Sequence, residues 1–296
     1  MKDQLTEVGF TLAWKIVART PTKLARSAFN AAADQMWRRN GPAVQQLQRN
    51  LARVRPDASE AELRELSRLG LRSYLRYWCE AFQLPRWSVQ KVRRSFTIEN
   101  GDVLRTAVEA GNGAIMVLGH SGNWDLAGAW GCDQFGTLTT VAERLKPEGL
   151  FEQYIAYRES LGMEILGHDD ADTFRVLLER LRSGALVCLV GDRDLSAHGV
   201  PVEFFGEATS MPAGPAMLAL LTGAPVHPVT LWYSEERAHA RVLERVQIPE
   251  VGDRAAKIAQ MTQEIADGLA TGVREHPEDW HMLQPFWVAD RKVRDQ

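Results

Sequence analysis

Apolar residues in the first third of the chain recur at three- and four-residue steps. Leu5, Val8, Leu12 and Ile16 form one stripe, widened by Phe10, Trp14 and Val17, and this spacing predicts an amphipathic helix. Pro21 ends that helix or opens the next, and Asn40-Gly41-Pro42 marks a second break. Asp57-Ala58-Ser59-Glu60 ahead of Leu63, Leu66 and Leu69 predicts a helix start with acid in its first turn. The run from Arg72 to Glu80 continues that helix, and Pro85 closes the segment.

Beyond Phe96 the period changes. Short β-like runs are expected at 96–99, 114–118, 138–142, 186–190, 202–205, 226–232 and 240–246. Helical stretches alternate with them at 103–110, 151–161, 173–182, 214–222 and 255–273. Residues 114–118 and 186–190 are apolar throughout, as strands buried on both faces should be. The fold class that follows is α/β, with a central, mostly buried β-sheet flanked by helices. A helical N-terminal subdomain at 1–95 and an α/β body at 96–296 are expected, with no true linker between them.

Composition supports a large core. The chain has 296 residues, 45% hydrophobic and 25% charged, which excludes wholesale disorder and a collagen-like fibre. Its net charge of −3 hides an asymmetry: residues 1–96 carry 18 Lys/Arg against 8 Asp/Glu, the remainder 17 against 30. A balance of +10 followed by −13 predicts an anionic partner surface at the N-terminal third. Cys79, Cys132 and Cys188 are an odd number without C-x-x-C spacing, which argues against a disulfide framework or zinc knuckle and for a reducing compartment. The opening residues lack the apolar run of a signal peptide, and no stretch of about 18 apolar residues could span a bilayer. The expectation is a protein that is soluble or rides on a membrane surface.

The apolar run 114–118 leads straight into Gly119-His120-Ser121-Gly122-Asn123-Trp124-Asp125. His120 is thereby placed at the C-terminal end of a buried strand, where open α/β sheets put their chemistry. The following Leu126 to Trp130 reads as helical, so Asp125 falls in a first turn. A carboxylate five residues on, across a strand-to-helix turn, can fold back on the imidazole and leave its other nitrogen as a base. Such a base takes a proton from a hydroxyl that attacks an acyl carbonyl. The competing reading is a packed strand-end histidine. Ser121 lacks the Gly-x-Ser-x-Gly setting of a nucleophile, and no second His or Cys stands nearby at metal-ligand spacing. The residues thus predict no metal.

The His-x4-Asp run after an apolar strand resembles that of the lysophospholipid acyltransferase-like enzymes, and most closely their lipid A acyltransferase branch. The resemblance covers most of the chain and sharpens toward the phosphatidylinositol mannoside acyltransferases. It is carried further by Ala142-Glu143-Arg144-Leu145-Lys146-Pro147, Tyr157-Arg158, Asp192-Arg193-Asp194-Leu195 and Val202-Glu203-Phe204-Phe205-Gly206. Met211-Pro212-Ala213-Gly214-Pro215 and the run from His276 to Pro285 complete it.

The resemblance implies transfer of a long-chain acyl group, palmitoyl by expectation, from acyl-CoA to the 6-hydroxyl of a mannose on phosphatidylinositol. No cofactor is implied beyond acyl-CoA as co-substrate. His120 is the expected base with Asp125 orienting it, and the amides of 119–123 are expected to face the oxyanion. Glu143 and Arg158 correspond to acceptor-site residues, the alternative being a structural Glu–Arg pair. Arg144 and Lys146 are expected at phosphate. Asp194 is the expected further catalytic carboxylate, with Asp192 as the alternative; Asp192 and Arg193 are assigned to substrate binding. Phe204 and Phe205 are expected as core or as acyl-tunnel lining, and Ser210 as the cap of a helix whose N-terminus meets donor phosphate. His281 is expected to be structural.

The same basic third has two partner readings. Lys15, Arg19, Lys23 and Arg26 flank the stripe of Phe10, Leu12, Trp14 and Ile16, a pattern that suits an anionic bilayer surface rather than nucleic acid. A peripheral enzyme on the cytoplasmic face of the membrane is therefore expected. The alternatives are an acyltransferase acting on another glycolipid, such as a lipid A precursor, and a non-catalytic lipid-binding protein of the same fold.

Overall fold

A computed structural model describes residues 2–144, 148–194 and 198–291. Four helices lead the chain: α1 (Lys2–Arg19), α2 (Thr22–Arg39), α3 (Pro42–Val54) and α4 (Glu60–Gln83). The start of α4 follows the sequence signal closely. Ser59 is its N-cap, and Glu62 reaches back to the Ser59 backbone to complete a capping box. A short α5 (Val89–Ser95) then delivers the chain to the sheet.

The body alternates as β1 (Phe96–Glu99), α6 (Asp102–Glu109), β2 (Ala114–Leu118), α7 (Trp124–Phe135) and β3 (Thr139–Ala142). It continues through α8 (Glu148–Glu159), β4 (Glu164–Gly167), α9 (Thr173–Arg182) and β5 (Leu186–Val190). A hairpin of β6 (Val200–Phe204) and β7 (Glu207–Met211) precedes α10 (Gly214–Thr222), β8 (Val226–Tyr233), β9 (Ala238–Val242) and α11 (Arg254–Glu275).

Seven strands form one sheet in the order β1-β9-β8-β2-β5-β3-β4, the α/β architecture expected. Only β8 and β9 pair antiparallel; β2 lies between β5 and β8, parallel to both. All five residues of β2 are buried, so its C-terminal end is a fixed point at the middle of the molecule. Two strands escape the apolar pattern. β4 is a four-residue edge strand, and β7 (Glu-Ala-Thr-Ser-Met) is too polar to show a run.

Alternation along the strands divides the core between two layers. Ile115, Val117 and Val187 meet Leu177, Leu181, Leu218, Met261 and Ile265 on one face. Met116, Leu118, Leu231 and Ala240 meet Leu104, Leu126, Ala129, Tyr77 and Ala81 on the other. Tyr77 and Ala81 belong to α4, so the N-terminal helices share the core of the body rather than standing apart from it.

Candidate active site

The candidate site lies at the C-terminal edge of the parallel strands β2 and β5. Gly119 to Asn123 turn the chain from β2 into α7, and Asn123 caps the helix by accepting from the Leu126 N–H at 2.9 Å. Gly122 sits at φ +54, and a Cβ there would meet the Trp232 backbone nitrogen at 3.0 Å. Glycine is therefore required for the turn to press against β8.

His120 is held from both its backbone and its ring. Its Nδ1 lies 2.5 Å from Asp192 Oδ1, and its backbone N–H donates to Asp192 Oδ2 at 2.8 Å. The Trp280 indole N–H adds a third contact to the same carboxylate at 3.2 Å. Asp192 is fully buried just beyond β5. Burial pushes its pKa up, but the His120 imidazole and the donated hydrogen bonds more than offset this and hold it below the ordinary carboxylate value. An ionised carboxylate on Nδ1 fixes the tautomer and leaves the Nε2 lone pair free to accept a proton. The ring is one third exposed and lines a cleft of about 440 Å³.

Several sequence expectations move here. Asp125 does not fold back on His120. Its carboxylate accepts from Arg158 Nε at 2.8 Å and from the Tyr77 hydroxyl at 2.9 Å, in full burial. Starting one residue into α7, its side chain is directed at α4 and α8 instead of back over the turn. The partner of His120 is Asp192, not Asp194: Asp194 Oδ2 accepts from the Gly199 N–H at 3.0 Å and closes its own loop. Position past the strand explains the choice: the Gly191 N–H still donates to Leu118 O of β2 at 2.8 Å, so Asp192 stands beside the end of β2, whereas Asp194, four residues past β5, is already in the loop it closes.

Arg158 lines the cleft, yet its guanidinium is committed to Asp125. Burial pulls its pKa down, but Asp125 and the surrounding phenols hold it above the ordinary value. The alternative of a structural Glu143–Arg158 pair does not form either: Glu143 pairs with Arg193 at 2.7 Å on the cleft wall, and Arg193 also donates to Gln284. Arg144 is spent on Glu148, Asp169 and Asp170 and is not among the residues lining the cleft. Lys146 and Leu195 lie outside the described residues.

The expected oxyanion amides are also largely committed. The His120, Ser121 and Gly122 N–H groups donate to Asp192, Gly119 O and Asp279 O respectively. Ser210 caps no helix: it lies in β7, where its hydroxyl accepts from Arg291, and α10 starts after Ala213. Phe204 packs against Trp280, Phe286 and Trp287 on the far side of the sheet, so it is core and not tunnel.

A different set of residues provides an apolar slot. It runs between α7 and the sheet, past Met116, Leu118, Gly128, Gly131 and Met163, and shares Trp124, Val141, Arg158 and Val190 with the cleft. The only sequence signal for it is the pair of glycines in α7, which the apolar pattern alone does not single out. His281, taken as structural, donates its backbone N–H to His120 O at 2.8 Å, and its buried Nε2 lies 2.9 Å from Ser73 Oγ. The one His/Asp/Glu group with metal-ligand spacing among the described residues, His276 with Glu278 and Asp279, does not include His120 or Asp192.

A histidine–carboxylate pair at the edge of a parallel sheet, with a cleft of mixed aromatic and polar lining and a hydrocarbon-lined slot beside it, suits an acyltransferase. The chain belongs to the bacterial lipid A biosynthesis acyltransferase family, whose profile matches residues 7–288. It is 44% identical to the phosphatidylinositol mannoside acyltransferase of Mycolicibacterium smegmatis, over 97% of this chain and 93% of that one. The protein of the same name from Mycobacterium tuberculosis is 43% identical, over 96% of this chain and 89% of its own.

Proposed function

We propose that this acyltransferase moves a long-chain fatty acyl group, palmitoyl by preference, from acyl-CoA to a mannose 6-hydroxyl of a mannosylated phosphatidylinositol. The observation that carries the chemistry is the His120–Asp192 pair at 2.5 Å on the wall of the cleft. His120 Nε2 takes the hydroxyl proton as the oxygen attacks the thioester carbon. The C–S bond then breaks, and the imidazolium returns the proton to the departing thiolate. No acyl-enzyme is needed, because a nucleophilic hydroxyl arrives with the acceptor. The identity of the acceptor is supported by the activity for which the relatives are named, together with their coverage of nearly the whole chain.

The acceptor is an anionic lipid, so the enzyme is placed at the cytoplasmic membrane surface. No helix among the described residues is long and apolar enough to cross a membrane. Leu12, Ile16 and Leu24 are instead exposed at 58%, 58% and 63% on α1 and α2, beside the exposed Lys15, Arg19 and Lys23. Trp14 is excluded from that face, since it packs inward on Phe82, Tyr154 and Tyr157. The side chains of residues 2–10, including Leu5, Val8 and Phe10, lie outside the description.

Incubating the purified protein with palmitoyl-CoA and mannosylated phosphatidylinositol tests the proposal. The expected product is the acceptor heavier by one palmitoyl group, on the mannose 6-oxygen. Absence of acylated lipid from folded protein supplied with both substrates removes the reading.

A further inference from the structure

The turn that carries His120 is held from outside by a second segment. Asp279, Trp280 and His281 run antiparallel to Gly122, Ser121 and His120, with Ser121 opposite Trp280. The Gly122 N–H donates to Asp279 O at 3.0 Å, and the His281 N–H donates to His120 O at 2.8 Å. Between them the Trp280 indole N–H donates to Asp192 at 3.2 Å. Both His120 and its carboxylate thus take their positions in part from this brace.

The brace is fixed in turn by the buried Asp279 carboxylate. Its Oδ2 accepts from the Tyr233 N–H at the end of β8, and its Oδ1 lies 2.5 Å from Ser73 Oγ on α4. The same Ser73 Oγ lies 2.9 Å from His281 Nε2. One hydroxyl hydrogen serves two neighbours, so the three groups form a chain with a direction. Oδ2 already receives an amide hydrogen, so a proton on Asp279 resides on Oδ1. Asp279 then donates to Ser73, Ser73 donates to His281 Nε2, and the ring hydrogen sits on Nδ1. With Asp279 ionised every bond reverses. His281 Nε2–H donates to Ser73, Ser73 donates to Oδ1, and Nδ1 is bare. The buried Nδ1 has no protein partner among the described residues, so no second bond pins the tautomer.

The surroundings allow both directions. Burial dominates at Asp279 and pushes its pKa up to about 7, with Glu278 adding to the rise and Arg76 of α4 opposing it. Glu278 has His276 at 4.0 Å on its other side. Burial also pulls His281 down to about 3, helped by His120 and opposed by Asp192, so the ring stays neutral. Tyr74 and Tyr77 of α4 and Trp124 of α7 pack around that ring.

Resting on the acyl transfer proposed above, we propose that Ser73 and Asp279 are positioning residues for that reaction. They lock the brace that holds the His120 turn, and the Ser73 hydroxyl sets which nitrogen of the cleft-lining His281 carries hydrogen.

Two measurements that need no substrate, and one that does, test this. Nitrogen NMR of the His281 ring in the parent protein should show the hydrogen pass from Nδ1 to Nε2 as pH rises through about 7. Asp279→Asn presents an amide N–H to Ser73 where the acid presents O–H, so Nδ1 should keep its hydrogen throughout. Ser73→Ala cuts the chain, and the tautomer should no longer follow pH. Amide exchange at Gly122 and His281 should quicken about fivefold in Ser73→Ala, the worth of one hydrogen bond. The kcat for transfer should fall by a similar factor with the KM for acyl-CoA unchanged, because the brace holds the base and not the donor. Ser73→Thr, which keeps the hydroxyl, should recover most of the kcat. A parent tautomer that is the same on both sides of neutral pH would overturn the proposal. So would Ser73→Ala with unchanged kcat and unchanged exchange at both amides. A parent that shows the tautomer change but transfers nothing to mannosylated phosphatidylinositol would instead remove the acceptor assignment and leave the chain standing.

Discussion

The fully buried Asp125 and the nearly buried Arg158 face each other at 2.8 Å, and this pair, not His120, is what the second half of the His-x4-Asp motif serves. It ties the first turn of α7 to the end of α8, while the Tyr77 hydroxyl ties the same carboxylate to α4. Both residues also border the apolar slot between α7 and the sheet.

Removing one partner leaves the other as an uncompensated buried charge. Asp125→Ala should therefore lower unfolding free energy by about 3–5 kcal/mol, more than removal of a surface ion pair would. Urea unfolding of variant and parent gives the number. A loss under about 1 kcal/mol would show that the pair is not buried as described.

Asp192 should behave in the opposite way, through catalysis. Asp192→Asn keeps the shape but no longer enforces Nδ1–H on His120, and kcat should fall by about 10⁴ at neutral pH. His120→Ala should abolish measurable transfer with the fold retained by circular dichroism. Asp194→Asn alters a carboxylate that accepts from the Gly199 N–H and not from His120, and it should leave kcat of the same order. Equal losses in the Asp192 and Asp194 variants would return the catalytic carboxylate to an open question.

These contrasts mark how far the sequence could be read. The α/β alternation, the buried β2 and His120 at its end were legible, because period and burial are local properties of a run. The partner of His120 was legible only as an alternative, with Asp192 ranked behind Asp125 and Asp194. A carboxylate 72 residues away is brought in by the pairing of β2 with β5, which no spacing in the chain encodes. Asp125 misled for the same reason: five residues of separation permit contact with His120, but Arg158, 33 residues on, outcompetes it. The apolar slot was invisible because glycines in a helix read as weakness until Met163 and Leu138 are seen packed against them.

Membrane association should depend on the exposed side chains of α1 and α2. Replacing Leu12 and Ile16 with Glu should cut binding to vesicles containing phosphatidylinositol by tenfold or more, because each loses apolar area and adds repulsion. Lys15 and Lys23 changed to Ala should each cost up to about 1 kcal/mol at low salt, and less at high salt as screening grows. Sedimentation with lipid vesicles is the measurement. Binding that is insensitive to all four positions would place the membrane contact elsewhere.

A last expectation concerns pH and the buried group behind the catalytic turn. Asp279 accepts from Ser73 at 2.5 Å and from the Tyr233 N–H at 2.7 Å, and burial pushes its pKa up to about 7. An unfolded carboxyl titrates near 3.9, so between about pH 4 and 7 the folded protein binds the extra proton. The Asp279 contribution to stability is thus complete below about pH 4 and is lost as pH rises through about 7. His281, which shares Ser73, works the other way: burial pulls its pKa down to about 3, so its contribution falls as pH drops from about 6.5 toward 3. The two slopes oppose each other and nearly cancel between pH 4 and 6.5 in the parent protein. Asp279→Asn removes one of them. Its unfolding free energy, measured against the parent in urea at pH 4.5, 6 and 7.5, should therefore improve relative to the parent as pH rises. A difference that is constant across the three values would mean that Asp279 is already ionised in the folded protein throughout the range.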